Sequence, residues 1–169
     1  YYKLANDIDL VNVKKEPLGM FRGVLDGNGY SIKNLTIVGA ASTSYVALFS
    51  KAEDATFKNL TFDNANVTSY ADYAGILTGY AFSTRYENCV IINSKISSGY
   101  GYIGALSGYI EVGTVSKCDT ENVTITGSHR LGSLIGLARR AKILDCNIVT
   151  PIITASSYSV GSIVGLIYD

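Results

Sequence analysis

A short hydrophobic segment framed by small residues returns at a nearly fixed interval, and that interval constrains the fold more than any other property of the chain. It reads Val46-Ala47-Leu48-Phe49-Ser50, then Gly75-Ile76-Leu77-Thr78-Gly79, Gly104-Ala105-Leu106-Ser107-Gly108, Gly132-Ser133-Leu134-Ile135-Gly136 and Gly161-Ser162-Ile163-Val164-Gly165. The first residues of successive copies lie 29, 29, 28 and 29 positions apart. Self-similarity at this period marks a chain built from stacked supersecondary units, each too small to bury its own apolar face.

Laying the units over one another gives columns of like residues. Ile32, Phe57, Tyr86, Val115 and Ile143 form one; Leu35, Leu60, Cys89, Cys118 and Cys146 follow three positions later. Two positions beyond come Ile37, Phe62, Ile91, Thr120 and Ile148, and a further column holds Val67, Ile96, Ile125 and Ile153. Alternation with period two inside each short run predicts strands whose apolar side chains share one core, with Thr120 the polar exception. Asn34, Asn59 and Asn88 (then Lys117 and Asp145), and Gly39, Asn64, Asn93 and Asn122 (then Thr150), occupy two further columns. Asn and Gly accept a left-handed backbone, so these columns are the expected corners, and stacked Asn side chains can hydrogen-bond from coil to coil. Frequent Gly and β-branched runs oppose helix. The expected fold is all-β, a parallel β-helix (solenoid) of about five coils with 28–29 residues per coil; the glycine-framed segments are expected to be strands.

One domain spanning residues 1–169 follows from the length, with residues 1–45 as a lead-in or capping coil and hairpin and 46–169 as the repeated coils. The hairpin is expected around Asp26-Gly27-Asn28-Gly29, a tight turn; its resemblance to a calcium loop fails where Tyr30 and Ser31 replace the acceptor and the glycine such a loop needs. The opening Tyr1-Tyr2-Lys3, with neither Met nor a leader, leads us to expect a piece of a longer protein. Fourteen basic residues balance fourteen acidic ones, which gives no support to a nucleic-acid footprint. No apolar run approaches the roughly 20 residues of a membrane span.

The repeated segments resemble the GLUG-motif repeat of large secreted and surface proteins of bacteria. The matching stretches are Ile76 to Gly79, Ala105 to Gly108, Ser133 to Gly136 and Ser162 to Gly165, with Ala47 to Ser50 a weaker copy and the motif's first Gly replaced throughout. Tyr2 to Leu10, leading to Leu25-Asp26-Gly27-Asn28-Gly29, looks like the lead-in that precedes such repeats. The resemblance implies a bacterial, secreted or cell-surface setting, an adhesin-like role, or the non-catalytic region of an IgA-type metallopeptidase whose zinc motif would lie elsewhere. Right-handed winding is expected from the crossover preference and from the same resemblance.

Chemistry-bearing residues are few. Cys89, Cys118 and Cys146 share a core column whose parallel Cβ vectors suit free thiols better than a bridge or a zinc site. Asp63 and Glu121 share another column two coils apart, about 9.6 Å, at the outer limit for an inverting glycosidase. Arg139, Arg140 and Lys142 read as a solvated face rather than a nucleic-acid patch. Sequons begin at Asn34, Asn59, Asn66 and Asn122, where corner geometry already accounts for three of the four Asn residues.

The recurring feature that points to recognition is the tyrosine-rich connection before each glycine-framed segment. It supplies Tyr70 and Tyr73, then Tyr100 and Tyr102, then His129 and Arg130, then Tyr158. Stacked in register, these would form a strip of rings along one edge, suited to contacting a host protein or a glycan. The expectation is a non-enzymatic repeat module, a structural spacer and contact surface with no cofactor. The alternatives are a carbohydrate-active β-helix enzyme (polysaccharide lyase or hydrolase) and the metallopeptidase accessory region.

Overall fold

The computed structural model describes residues 1–40 and 42–169. Every regular element among them is a strand, and every strand pairing is parallel, including those of the first strands with the coil above them. The result is a β-solenoid of about five turns with four walls.

One coil shows the plan. Thr78–Glu87 is a ten-residue strand, followed across corners by Val90–Ile92, Lys95–Ser98 and the two-residue Ile103–Gly104. Stacking these gives a long wall of seven strands, two walls of six and one of five. Each wall is a ladder of like residues: Phe57, Tyr86, Val115 and Ile143 stand over one another, as do Phe62, Ile91, Thr120 and Ile148, and Val67, Ile96, Ile125 and Ile153. Their side chains fill a single core that is fully buried through the middle coils and loosens in the last, where Ile152, Val160 and Ile167 are exposed.

Three expectations change. The first coil lies five residues away from the expected register. Leu25, not Ile32, pairs with Phe57; Ile32 pairs with Phe62 and Ile37 with Val67; Leu35 leaves the column of Leu60 and the cysteines, and Asn34 rather than Gly39 stands beneath Asn64. Ile32, Asn34, Leu35 and Ile37 repeat the spacing of Phe57, Asn59, Leu60 and Phe62 while lying one wall further on, and the first corner is itself wider, seven residues from Leu25 to Ile32 against five from Phe57 to Phe62. The expected hairpin is a coil corner, because Leu18–Asp26 and Ser31–Lys33 belong to different walls and do not pair with each other. The glycine-framed segments are corners joining two strands rather than strands themselves: the short strand ends just before the segment (Tyr73–Ala74) or on its first glycine (Ile103–Gly104), and the long strand, such as Thr78–Glu87, begins within it. Ile76 and Leu77 turn there with both side chains fully buried.

The glycines are required by close approach. A Cβ on Gly104 would lie 2.5 Å from the Ile135 Cα, and one on Gly136 would lie 2.4 Å from the Ile103 nitrogen, so the two glycine columns of neighbouring coils pack backbone against backbone.

The Asn corners form as expected, with φ between 51° and 57° at Asn34, Asn59, Asn64, Asn88, Asn93 and Asn122. Their amides chain together with one polarity. Asn88 donates to Asn59 (3.0 Å) and Asn59 to Asp26 (3.0 Å); Asn64 donates to Asn34 (2.7 Å) and Asn34 to Asp9 (2.7 Å); Asn122 donates to Asn93 (3.3 Å) and Asn93 to Asp63 (3.0 Å). Each chain ends on a carboxylate, which can only accept while ionised. Asp26 is the most heavily loaded: Asn59, the Tyr1 hydroxyl, the Asn28 amide and Lys58 hold its carboxyl well below the usual range against the opposing effect of burial.

A further left-handed column had no signal in residue type. Asp54, Ser83, Val112 and Arg140 sit at φ 47°, 51°, 54° and 48° in the middle of the long strands, bending that wall at the same point in each coil.

Candidate functional site

The short two-residue strands and the bends before them build the tyrosine edge. Tyr73 pairs with Tyr45, and the register of Ala74 with Ile103 and of Ile103 with Leu131 sets Tyr73, Tyr102 and Arg130 in one column. Parallel stacking at strand spacing then forces like rings face to face. Ring centroids are 5.1 Å apart for Tyr45 and Tyr73, and 4.8 Å for Tyr73 and Tyr102, with planes within 25°. Arg130 continues the column with its guanidinium 4.7 Å over Tyr102 and 5.5 Å from the Tyr158 ring centre. His129 meets Tyr102 edge-on at 5.8 Å and stacks on Tyr158 at 5.5 Å. Each aromatic pair contributes on the order of 0.5–1.5 kcal/mol beyond its buried area, so the column stabilises the edge whether or not anything binds to it.

A second row, unrecognised in the sequence, flanks the first on the long wall. Tyr80 and Tyr109 meet edge-on at 5.2 Å, and Tyr80 also approaches Tyr45 at 5.8 Å. Lys51 lies over Tyr45 at 4.8 Å. The Tyr80 hydroxyl donates to Glu111 (3.0 Å), which also accepts from Arg139 (3.0 Å) and Arg140 (3.2 Å). Burial and the Glu111 carboxylate push the Tyr80 phenol up to about 12. Burial opposes ionisation of Glu111, yet the Tyr80 hydrogen bond and the two arginines hold its carboxyl below the ordinary range. The signal for this row was available: Tyr80 and Tyr109 are 29 residues apart and paired in register.

The seven residues singled out from the sequence therefore divide. Tyr73, Tyr102, His129, Arg130 and Tyr158 come together in the column or at its end. Tyr70 and Tyr100 project from the adjacent bends, 56% and 52% exposed, without an aromatic partner among the described residues. Elsewhere, Asp63 and Glu121 do share a column on either side of Ile92, but Asp63 is the acceptor at the foot of an amide chain. The three thiols are free and follow one another up the core; hydrogen bonding to Cys89, then burial, push the Cys118 thiol up. Among the described residues, no group of three or more metal-ligating side chains gathers.

Fold and edge together define a β-solenoid repeat protein with an aromatic ladder along one edge. Comparison adds no relative: no family model, no curated protein and no solved structure matches the chain.

Proposed function

We propose that this chain is a non-catalytic repeat module of a bacterial extracellular or cell-surface protein, a stiff spacer whose tyrosine edge contacts a ligand, and that it belongs with the GLUG-type repeats its motifs resemble. The observation that carries the reading is the edge itself: rings recur at successive coils on one side of a rod, at Tyr45, Tyr73 and Tyr102, and Arg130 continues the row against Tyr102 and Tyr158. A continuous strip of this kind suits a long or repetitive partner, such as a glycan or a fibrous host protein. Stiffness follows from four parallel sheets sharing one core, in which bending would have to break ladder hydrogen bonds in every wall.

The use of Asp63 as a ladder acceptor weighs against the enzymatic alternative, because a general acid or base needs a carboxylate free to exchange its proton with substrate. Two measurements test the proposal. Incubation with a panel of polysaccharides is expected to release no new reducing ends or unsaturated products; activity that disappears in Asp63→Ala or Glu121→Ala overturns the non-catalytic reading. Arrays of glycans and extracellular-matrix proteins are expected to give a signal that falls when Tyr70, Tyr73, Tyr100 and Tyr102 are replaced with Ser, and a signal indifferent to those changes removes the edge as the contact surface.

A further inference from the structure

The stacked and the exposed rings of the tyrosine edge have different capacities. Tyr45, Tyr73 and Tyr102 spend their faces on one another at 4.8 to 5.1 Å, leaving mainly edges and hydroxyls to solvent. Tyr70 and Tyr100 keep their faces. They flank an open cleft of about 230 Å³ whose remaining polar lining is Ser42, Thr43, Ser44 and Asp72.

Both bends are held in place before any ligand arrives. The Ala71 amide donates to the Ser69 hydroxyl (3.0 Å), and the Ser98 hydroxyl donates to the Ala71 carbonyl (2.9 Å) while accepting from the Tyr100 amide (3.1 Å). Ser98 thus ties the two ring-bearing bends together across neighbouring coils. The Tyr100 carbonyl accepts from the Ser128 amide of the next coil (2.8 Å). Such bracing lowers the ordering cost of binding.

The geometry points to a saccharide subsite in this cleft: Tyr70 and Tyr100 take the C–H face of one pyranose unit of a neutral polysaccharide, and Asp72 accepts hydrogen bonds from its hydroxyls. This rests on the edge being a contact surface and specifies where and for what. A pyranose is apolar on its faces and hydroxylated around its rim, which matches a pair of amphipathic rings beside a carboxylate and three hydroxyls. The carboxylate makes charge-assisted hydrogen bonds to hydroxyl donors and repels uronates and sulfates, which selects neutral sugars. A protein side chain anchoring here would want an apolar pocket, and this cleft is mostly polar. Its size admits one ring, so affinity for a chain would come from neighbouring contacts along the edge.

The test is binding of the intact 169-residue chain to soluble neutral polysaccharides (dextran, mannan, xylan and a mixed-linkage β-glucan) by calorimetry, with saturation-transfer NMR to locate the contacting sugar protons. At least one polymer is expected to bind, with C–H protons of one ring face receiving saturation. Tyr70→Ala and Tyr100→Ala are each expected to weaken it about tenfold, the loss of one aromatic contact, and Asp72→Asn to weaken it less. All three side chains are exposed or at the cleft rim, and unchanged circular dichroism and melting will show that the variants fold. Binding unaffected by Tyr70→Ala and Tyr100→Ala overturns the subsite while leaving the edge as a contact surface. Failure of every polymer to bind also overturns it, as does binding of a protein instead with loss in Tyr70→Ala; neither outcome touches the non-catalytic reading, which stands or falls on product release.

Discussion

At the scale of single residues, two side chains sit where chemistry disfavours them and a third is held by its surroundings. Val112 is β-branched in a left-handed conformation, φ 54°, which costs an L-residue roughly 1–2 kcal/mol. Val112→Asn, the residue the corners already use, is expected to raise stability by about 1 kcal/mol, read as a higher urea midpoint at unchanged slope. Thr120 is 1% exposed in a column that also holds Ile32, Phe62, Ile91 and Ile148, and its hydroxyl has no partner among the described residues. Thr120→Val keeps the shape, removes the unpaired oxygen and is expected to stabilise by about 1 kcal/mol. Asp26 is the opposite case, a buried carboxylate with four partners. Its depressed pKa means that its contribution is complete above the unfolded value near 4 and is lost as pH falls through the folded value. Asp26→Asn is expected to lower stability at pH 7 and to flatten the acid limb of a pH series of denaturation midpoints; an acid limb as steep as that of the parent chain refutes the assignment.

Among elements, the corner is the unit that decides whether coils can close on one another. Gly104→Ala would drive a methyl into the Ile135 backbone and is expected to cost about 2–3 kcal/mol, more than most substitutions in the strands it joins. The tyrosine rows have their own signature: of the thirteen tyrosines in this chain, burial raises the pKa of Tyr73, Tyr80, Tyr86 and Tyr109. Absorbance of tyrosinate against pH is expected to show a late class that loses amplitude in Tyr80→Phe. How much of this the sequence disclosed depends on whether a column was written in residue type. Period, core columns from Phe57 onward and Asn corners were legible because hydrophobicity and left-handed preference recur in identity. The first coil misled because Ile32, Asn34, Leu35 and Ile37 repeat the spacing of Phe57, Asn59, Leu60 and Phe62, and this local likeness favoured a step of 25 residues over the true step of 30 from Ile32 to Phe62. The bend at Asp54, Ser83, Val112 and Arg140 was invisible because only the backbone, and no shared residue type, repeats there. Tyr70 and Tyr73 looked alike in sequence; three positions of separation put one in a cleft and the other in a stack.

For the whole molecule, stability is close to a sum of coils and of the interfaces between them. Coils with neighbours on both sides bury their inward-facing side chains completely, whereas the last coil exposes Ile152, Val160 and Ile167. Hydrogen exchange is expected to run fastest in Ile148–Val149, Ile152–Ala155 and Val160–Gly161 and slowest in the strands around Phe57, Tyr86 and Val115. Uniform exchange along the chain would mean one global cooperative unit instead. The one-way amide chains carry a last implication. In every link the oxygen belongs to the earlier coil and the donating nitrogen to the later, starting from Asp9, Asp26 or Asp63. A polypeptide emerging from the ribosome therefore always lays down the socket before the plug, and the rod can be wound in the order in which it is made, each finished turn serving as the mould for the next.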